Sequence, residues 1–307
     1  MLNSNAFPFP GALLGALTVL SWAGFNVAAK AGIDAGLSPA ALSFLRYLTP
    51  AFLAVPLWFW LRSRSQSAGL PFTRLLVLAI LGGPIFGFVA VAGYQFAPLS
   101  HGLLFAPVAV FVAGTILGAV LLKEKITRPR ILGAIVMFAG LALLVGVETG
   151  GLGSQWPIGI ALFVTAGTMW GGYTVLLRYW QIPTFEGTAA VASLGAVFAA
   201  IAVGPFAWDS LRAAEAQMVM IQIVMQGLVG GVISVVALVA ALQRITTQTA
   251  AMLPTFTPAV AMVIAWMALG TQPQPAEVLG ATIIFAGFAL ATRRPLHFHR
   301  MAASKTS

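Results

Sequence analysis

Apolar residues in this chain come in runs close to the ~20 residues that a helix needs to cross a hydrocarbon core, with short polar or turn-forming breaks between them. Ten runs are predicted as membrane-spanning helices, at 11–31, 39–61, 72–94, 99–122, 130–147, 156–178, 184–208, 217–242, 247–269 and 276–292. Only 62–71, 148–155 and 209–216 read as loops of any size, and a Gly-rich stretch at 149–154 marks the midpoint. No connection is long enough for an extramembrane domain. The pattern therefore predicts an all-α membrane protein with a short polar tail at 293–307.

Composition sharpens this picture. Of 307 residues 60% are hydrophobic and 7% charged, against roughly 45–50% and about 25% in soluble domains, which leaves too little polar material for an aqueous surface. There are no cysteines, so disulfides, iron–sulfur clusters and thiolate zinc sites are excluded. The formal charge of +9 is an orientation signal and not a nucleic-acid footprint. With the N-terminus inside, thirteen of the sixteen Lys and Arg fall on the cytoplasmic side, Arg46 lies within a span, and only Lys30 and Arg212 fall outside. Positive charge near helix ends resists translocation, so both termini are expected in the cytoplasm of a cell inner membrane. The first ten residues lack a basic region and no small-residue cleavage site follows, so the first run reads as a span and not a removable signal.

The chain also repeats itself. A shift of 148 places Gly11 on Gly159, Trp22 on Trp170, Gly24 on Gly172 and Lys30 on Arg178, and a shift of 147 places Pro107 on Pro254, Gly133 on Gly280 and Gly140 on Gly287. Two five-helix repeats are predicted, at 11–147 and 156–292. Five is odd, so the second repeat is inverted relative to the first. Inverted repeats are an architecture of secondary transporters, whose sites lie near the midplane where the halves meet.

The stretch from Tyr94 through Pro98, His101 and Pro107, continuing through Lys123, Glu124 and Lys125 to Gly133 and Gly140, resembles the fourth and fifth helices of EamA-type members of the drug/metabolite transporter superfamily. The second-half stretch from Ala241 through Pro254 to Gly280 and Gly287 is similar to the ninth and tenth, and Phe44-Leu45-Arg46-Tyr47 after Pro39 is similar to a signature of the second helix. The resemblance implies a ten-helix transporter, commonly an exporter of amino acids or other metabolites, with a central cavity lined largely by helices one, three, four, six, eight and nine. It also implies an acidic residue where helices four and nine end. Here Glu124 is present, and the second half has Gly270-Thr271 instead.

Candidate site residues follow from polar and aromatic groups placed where lipid would not tolerate them. Trp22, Asn26 and Lys30 form one i, i+4, i+8 stripe, repeated as Trp170, Thr174 and Arg178. Both tryptophans fall mid-span, away from the interfacial belt, and Tyr173 stands one turn on. Lys30 and Arg178 read as snorkelling to the interfaces. Tyr94, His101 and its 147-shift mate Gln248, and the Gln222–Gln226 pair complete the polar set. Intramembrane amides need partners, and Gln226 is expected to face the cavity. Pro84, Pro107, Pro254 and Pro258 remove backbone hydrogen bonds inside helices and are candidate hinges or gates. Gly133 and Gly280 are expected to pack helices closely. Arg46, ~10 Å from a helix end at 1.5 Å per residue, could bind a substrate carboxylate, snorkel outward or pair with helix-end carbonyls, and a structural role is the expectation.

No HExxH, paired aspartate motif or nucleophile elbow occurs, and every acidic residue lies at a loop or helix end. The chain reads as a non-enzyme without cofactor or metal. Its expected partners are a small solute and lipid, not nucleic acid, with a monomer as the working expectation. With no fixed acid in the spans, the solute is expected to be neutral or zwitterionic with a large apolar part, foremost a large or aromatic amino acid, moved by alternating access. The alternatives are other apolar metabolites or drugs, or an intramembrane lipid-modifying enzyme.

Overall fold

The protein is described by a computed structural model over residues 10–64, 71–148, 154–182, 184–245 and 247–292, with the side chains at 54, 57, 58, 60–64, 146–148, 184–186 and 247–252 outside that description. Among the described residues the chain runs as ten helical rods joined by turns. They are α1 Gly11–Asp34, α2 Pro39–Arg64, a broken α3 built of Phe72–Gly82 and Pro84–Ala92 with a 3-10 turn Gly93–Gln95, α4 Leu99–Leu121, and α5 Arg128–Glu148. The second half follows with α6 Trp156–Tyr179 and α7 Thr184–Phe198, which passes through a π-helical turn Ala199–Val203 into Gly204–Ala213. Next is α8, Ala216–Gln222, which passes through a π-helical stretch Ile223–Ile233 into Ser234–Leu242; α9 Thr247–Leu269 and α10 Pro275–Ala291 complete the bundle.

Seven of these rods (α1 and α3–α8) are long and apolar enough to cross a membrane, and α9 and α10 contribute the shorter apolar helices Leu253–Leu269 and Pro275–Ala291. Large apolar side chains such as Phe52, Ile201, Phe206 and Met267 face outward, more than 70% exposed. In water such a surface would aggregate, whereas in lipid it is the expected solvent-facing coat.

Two expectations need correction. The stretch 209–216 is not a loop, because α7 continues to Ala213 and leaves only Ala214 and Glu215 before α8. The last turns of α7 are held as helix by contacts at the bundle end. Arg212 lies over the Trp208 ring at 4.8 Å, Ala207 is buried, and the Ser210 hydroxyl accepts from the Ser38 amide at 2.8 Å. The run 72–94 is not one helix, because Gly83 is extended (φ −98°, ψ −155°) and interrupts it.

Lipid gives helices little hydrophobic reason to associate, so packing depends on small residues that let backbones approach. The α5–α10 seam shows this directly. A Cβ at Gly133 would stand 2.5 Å from the Gly287 carbonyl oxygen, and one at Gly140 would stand 2.8 Å from that of Gly280. The reverse contacts are equally tight, at 2.8 Å from Gly287 to the Gly133 oxygen and 3.1 Å from Gly280 to the Gly140 oxygen. The 147 shift converts the Gly133–Gly287 pair into the Gly280–Gly140 pair, so the two halves meet here across their pseudo-two-fold axis, with Met137, Leu144 and Ile284 buried beside it. The second close pair is α4 with α6, where Gly167 comes within 2.3 Å, from a built Cβ, of the Ala106 oxygen. In α1 the repeat mate of Gly167 is Val19, so α1 cannot approach α9 as closely at that level.

Because the obstructing atoms at Gly133 and Gly287 are backbone, a side chain there cannot be accommodated by a rotamer change. Gly133→Val or Gly287→Val is expected to destabilise by about 3 kcal/mol or to abolish folding. Gly114→Ala, which points into open space, is expected to stay within about 0.5 kcal/mol of wild type. Thermal unfolding in detergent checks this, and equal midpoints for all three variants would remove the seam from the account.

Candidate functional site

The break in α3 frees backbone carbonyls inside the bundle, and α2 answers them. The Tyr47 hydroxyl donates to the Gly82 oxygen at 2.8 Å and the Ser43 hydroxyl donates to the Pro84 oxygen at 2.8 Å. A Cβ at Gly83 would lie 2.1 Å from the Ala79 oxygen, so the break requires glycine there. Pro84, an expected hinge, sits buried at this break and packs on Gly195 of α7. In the second half the π-helical stretch of α8 stands at the matching place, tied to α1 by two fully buried amides. Gln222 Nε2 donates to the Ala28 oxygen at 2.7 Å, and Gln226 Nε2 donates to the Phe25 oxygen at 2.8 Å and to Gln222 Oε1 at 3.3 Å. Gln226 Oε1 has no hydrogen-bond partner among the described residues. Gln226 thus lies in a helix seam.

The other sequence-selected residues fall into two groups. Asn26 Nδ2 donates to the Trp22 oxygen at 2.8 Å, and its Oδ1 accepts from the Tyr94 hydroxyl at 3.0 Å. Tyr94 is buried with its ring 5.0 Å from that of Phe163, so the three-residue chain locks mid-α1 to the end of α3. Trp170 forms the second group, stacked between Phe86 and Tyr173 at centroid distances of 5.1 and 5.0 Å and still 37% exposed. The Tyr173 hydroxyl lies 3.4 Å from that of Thr188, and Thr174 donates to the Gly171 oxygen at 2.8 Å. His101 is fully buried, with its ring stacked 5.9 Å from Phe105 and Nδ1 3.4 Å from the Ser100 hydroxyl. Pro107 lies within α4 and is half-buried, and in α9 Pro254 is exposed while Pro258 is buried. The side chain of Gln248 lies outside the described residues.

Arg46, expected to be structural, points into the bundle. Its guanidinium carbon lies 4.2 Å from the Phe25 ring centroid.

The two ends of the bundle are built differently. Where α4 ends, Lys123 adopts φ +58° and turns Glu124 back over the helix. Its carboxylate pairs with Arg178 at the end of α6 and, at 3.4 Å, with Arg130 at the start of α5. Arg178 is therefore not simply snorkelling. Hydrogen bonding from Arg178, foremost, and the charges of Arg178 and Arg130 hold the Glu124 carboxyl below its ordinary value of 4.5. A lowered carboxyl stabilises the paired form at neutral pH, and that contribution disappears only as pH falls through the lowered value.

At the other end the repeat mates are Thr271 for Glu124, Lys30 for Arg178 and Glu277 for Arg130. Gly270 repeats the left-handed turn at φ +69°, but the acid is missing. Lys30 pairs instead with Asp34 on its own helix, and Glu277 accepts from the Gln274 amide at 2.8 Å as part of a capping box. No ion pair crosses the gap among the described residues. A cavity of about 380 Å³ opens there, lined by Lys30, Asp34, Tyr94, Pro98, Leu269 and Thr271 among others. Of the residues read from the sequence, Tyr94 lines it directly together with Lys30, which was expected only to snorkel.

A family model for the EamA-like transporter family matches the chain twice, over residues 9–146 and 157–293. The chain belongs to that family and is a multi-pass membrane transporter of small molecules. Among 18 chains of known structure that match, one crystal structure is 18% identical, covers 96% of this chain and 98% of its own, and superposes with a TM-score of 0.64, which establishes a shared fold. No curated protein matches.

The charge cluster generates a test. An ion pair of this exposure (side chains 61% and 26% exposed) contributes about 1 kcal/mol, or roughly a fivefold shift between closed and open forms. The cysteine-free chain allows a Leu117→Cys reporter on α4 facing α6. Its labelling by a water-soluble maleimide, normalised to Lys125→Cys, is expected to rise about fivefold in Glu124→Gln. An unchanged rate would show that Glu124 does not hold this end shut.

Proposed function

We propose that this member of the EamA-like transporter family exports small neutral or zwitterionic metabolites, foremost large or aromatic amino acids, across a cell inner membrane by alternating access. In this reading all ten rods cross the membrane as two inverted repeats, residues 11–147 and 156–292, with both termini in the cytoplasm. The Glu124 end is then cytoplasmic and the Thr271 end outer.

The observation that carries the reading is closure at one end only. Helix pairs related by the repeat are clamped by Glu124 at one end and stand apart around a cavity at the other. Two near-equivalent halves in unequal arrangements are what alternating access requires, because exchanging their arrangements closes one mouth and opens the other. Substrate chemistry is read from what the interior offers. Phe86, Trp170 and Tyr173 present stacked aromatic faces with Trp170 partly uncovered. The spans hold buried Ser, Thr and Gln groups, and no acidic side chain is buried among the described residues. Such an interior favours an apolar body with a small polar head over polyamines or organic cations, which would need a carboxylate. The same lack of a mid-span acid favours facilitated efflux or exchange over strong coupling to protons or sodium.

Reconstitution into liposomes tests this. Flux is expected for aromatic and branched-chain amino acids, little changed by imposed pH or sodium gradients. Trp170→Ala is expected to lower aromatic flux about tenfold, because it removes a stacking surface. Preference for dications or sugar phosphates, or unchanged aromatic flux in a folded Trp170→Ala variant, would overturn the substrate assignment.

A further inference from the structure

A positive charge stands inside the bundle with no acid to answer it. Arg46 lies seven residues from the start of α2, ~10 Å from the Thr271 end at 1.5 Å per residue, and is half-buried. A snorkelling arginine would run along its helix toward that end. Arg46 instead crosses to α1 and lies over Phe25, nine residues or ~14 Å from the same end, so its head points toward the midplane. Asn26, the residue after Phe25 on α1, holds the Tyr94 hydroxyl at 3.0 Å, so Arg46 and Tyr94 meet the same turn of α1.

These neighbours are positioned by other contacts. Phe25 is backed by Gly230 of α8 and has its carbonyl held by Gln226. Tyr47 is engaged with the α3 break, and Tyr94 is fixed by Asn26 and forms part of the cavity wall. The ion pairs among the described residues are those of Lys30 with Asp34 and of Arg130 and Arg178 with Glu124, and none involves Arg46. The second half does not repeat the charge, because the 147 shift places Ser193 at the matching position, and its hydroxyl donates to the Ala189 oxygen.

An intramembrane cation stacked on an aromatic ring, on the turn of α1 that also holds Tyr94 of the cavity wall, and with no counter-ion among the described residues, is incomplete without an anion. We propose that Arg46 binds the carboxylate of the transported solute below the cavity wall formed by Tyr94. This rests on the transport reading above and narrows it, because the solute must carry a carboxylate as well as an apolar body. A guanidinium presents a planar fork that matches a carboxylate in two hydrogen bonds. A lysine in its place would keep the charge and lose the fork.

Equilibrium binding to purified full-length protein in nanodiscs separates this from a structural role. Phenylalanine, its carboxamide and phenethylamine share the ring and the amino group and differ in the carboxylate. Wild type is expected to bind phenylalanine at least about tenfold more tightly than the other two. In Arg46→Gln that preference is expected to fall to within about twofold, and in Arg46→Lys to be partly retained. Equal affinities in wild type, or an unchanged preference in Arg46→Gln, overturn the inference. If Arg46→Gln does not fold, a reduced preference in a folded Arg46→Lys supports the assignment and full retention there overturns it. Flux of the same three solutes is measured in parallel. Carboxylate-selective binding without flux would overturn the amino-acid transport reading while leaving the Arg46 assignment standing.

Discussion

Lipid offers no hydrogen bonds, so any backbone group that a helix fails to satisfy must be answered from within the protein. This chain interrupts α3 outright and meets that demand with side chains, while α7 and α8 pass through π-helical turns. α3 opens at Gly83, and α2 supplies Tyr47 and Ser43. α8 relaxes into a π-helical stretch, and its two glutamines reach across to carbonyls of α1. These bonds also fix neighbouring helices in rotation. The face of α2 that carries Thr49 and Pro50 packs on Gly227 and Gly231 of α8, and the Arg46 side chain reaches from there to Phe25 of α1.

Pattern symmetry and structural asymmetry coexist here for identifiable reasons. At the α5–α10 seam the glycines recur in both halves, so the contact is reciprocal and the axis is pinned. Away from the axis the halves diverge. Gly167 lets α6 meet α4 backbone to backbone, whereas Val19 holds α1 further from α9. Glu124 gathers two arginines, whereas Thr271 gathers none. Each difference is small, about 1 kcal/mol for an exposed ion pair. Conformers of one protein commonly differ by only a few kcal/mol, so small differences suffice to choose which mouth is shut.

The helices were legible in the sequence because a bilayer imposes length and apolarity residue by residue, and the repeat was legible because glycine and proline positions survive a fixed shift. The end of α7 was missed because its polar 209–213 stretch looks like a loop until Trp208, Ala207 and Ser210 find partners. The Gly82-Gly83-Pro84 break was visible, but its satisfaction by Tyr47 was not, since that bond spans 35 positions. Trp22 and Trp170 are equivalent in sequence yet differ in surroundings. Only Trp170 has a phenylalanine from α3 and a tyrosine one turn on to stack against. The role of Glu124 was half visible, because the sequence exposed the missing acid at Thr271 but not the arginines that Glu124 would gather. Which way Arg46 turns was not legible, because nothing in one helix's sequence states its rotation.

The position of Arg46 also bears on why the repeat is imperfect. An inverted repeat supplies a symmetric frame, but a solute with one carboxylate is not symmetric, and a pair of equivalent cations would present it with two competing orientations and a second uncompensated charge in lipid. Such a charge costs about 2.5–3.5 kcal/mol even on the gentler insertion scales. Replacing one copy by Ser193, which satisfies itself on its own helix, removes that cost and leaves a single orientation. On the proposed reading the first half would hold the charged head of the solute through Arg46, while α6 of the second half would offer Trp170 and Tyr173 for its apolar body. A solute bridging the two would couple the halves, so that its arrival and departure bias the same rearrangement that Glu124 biases from the opposite end.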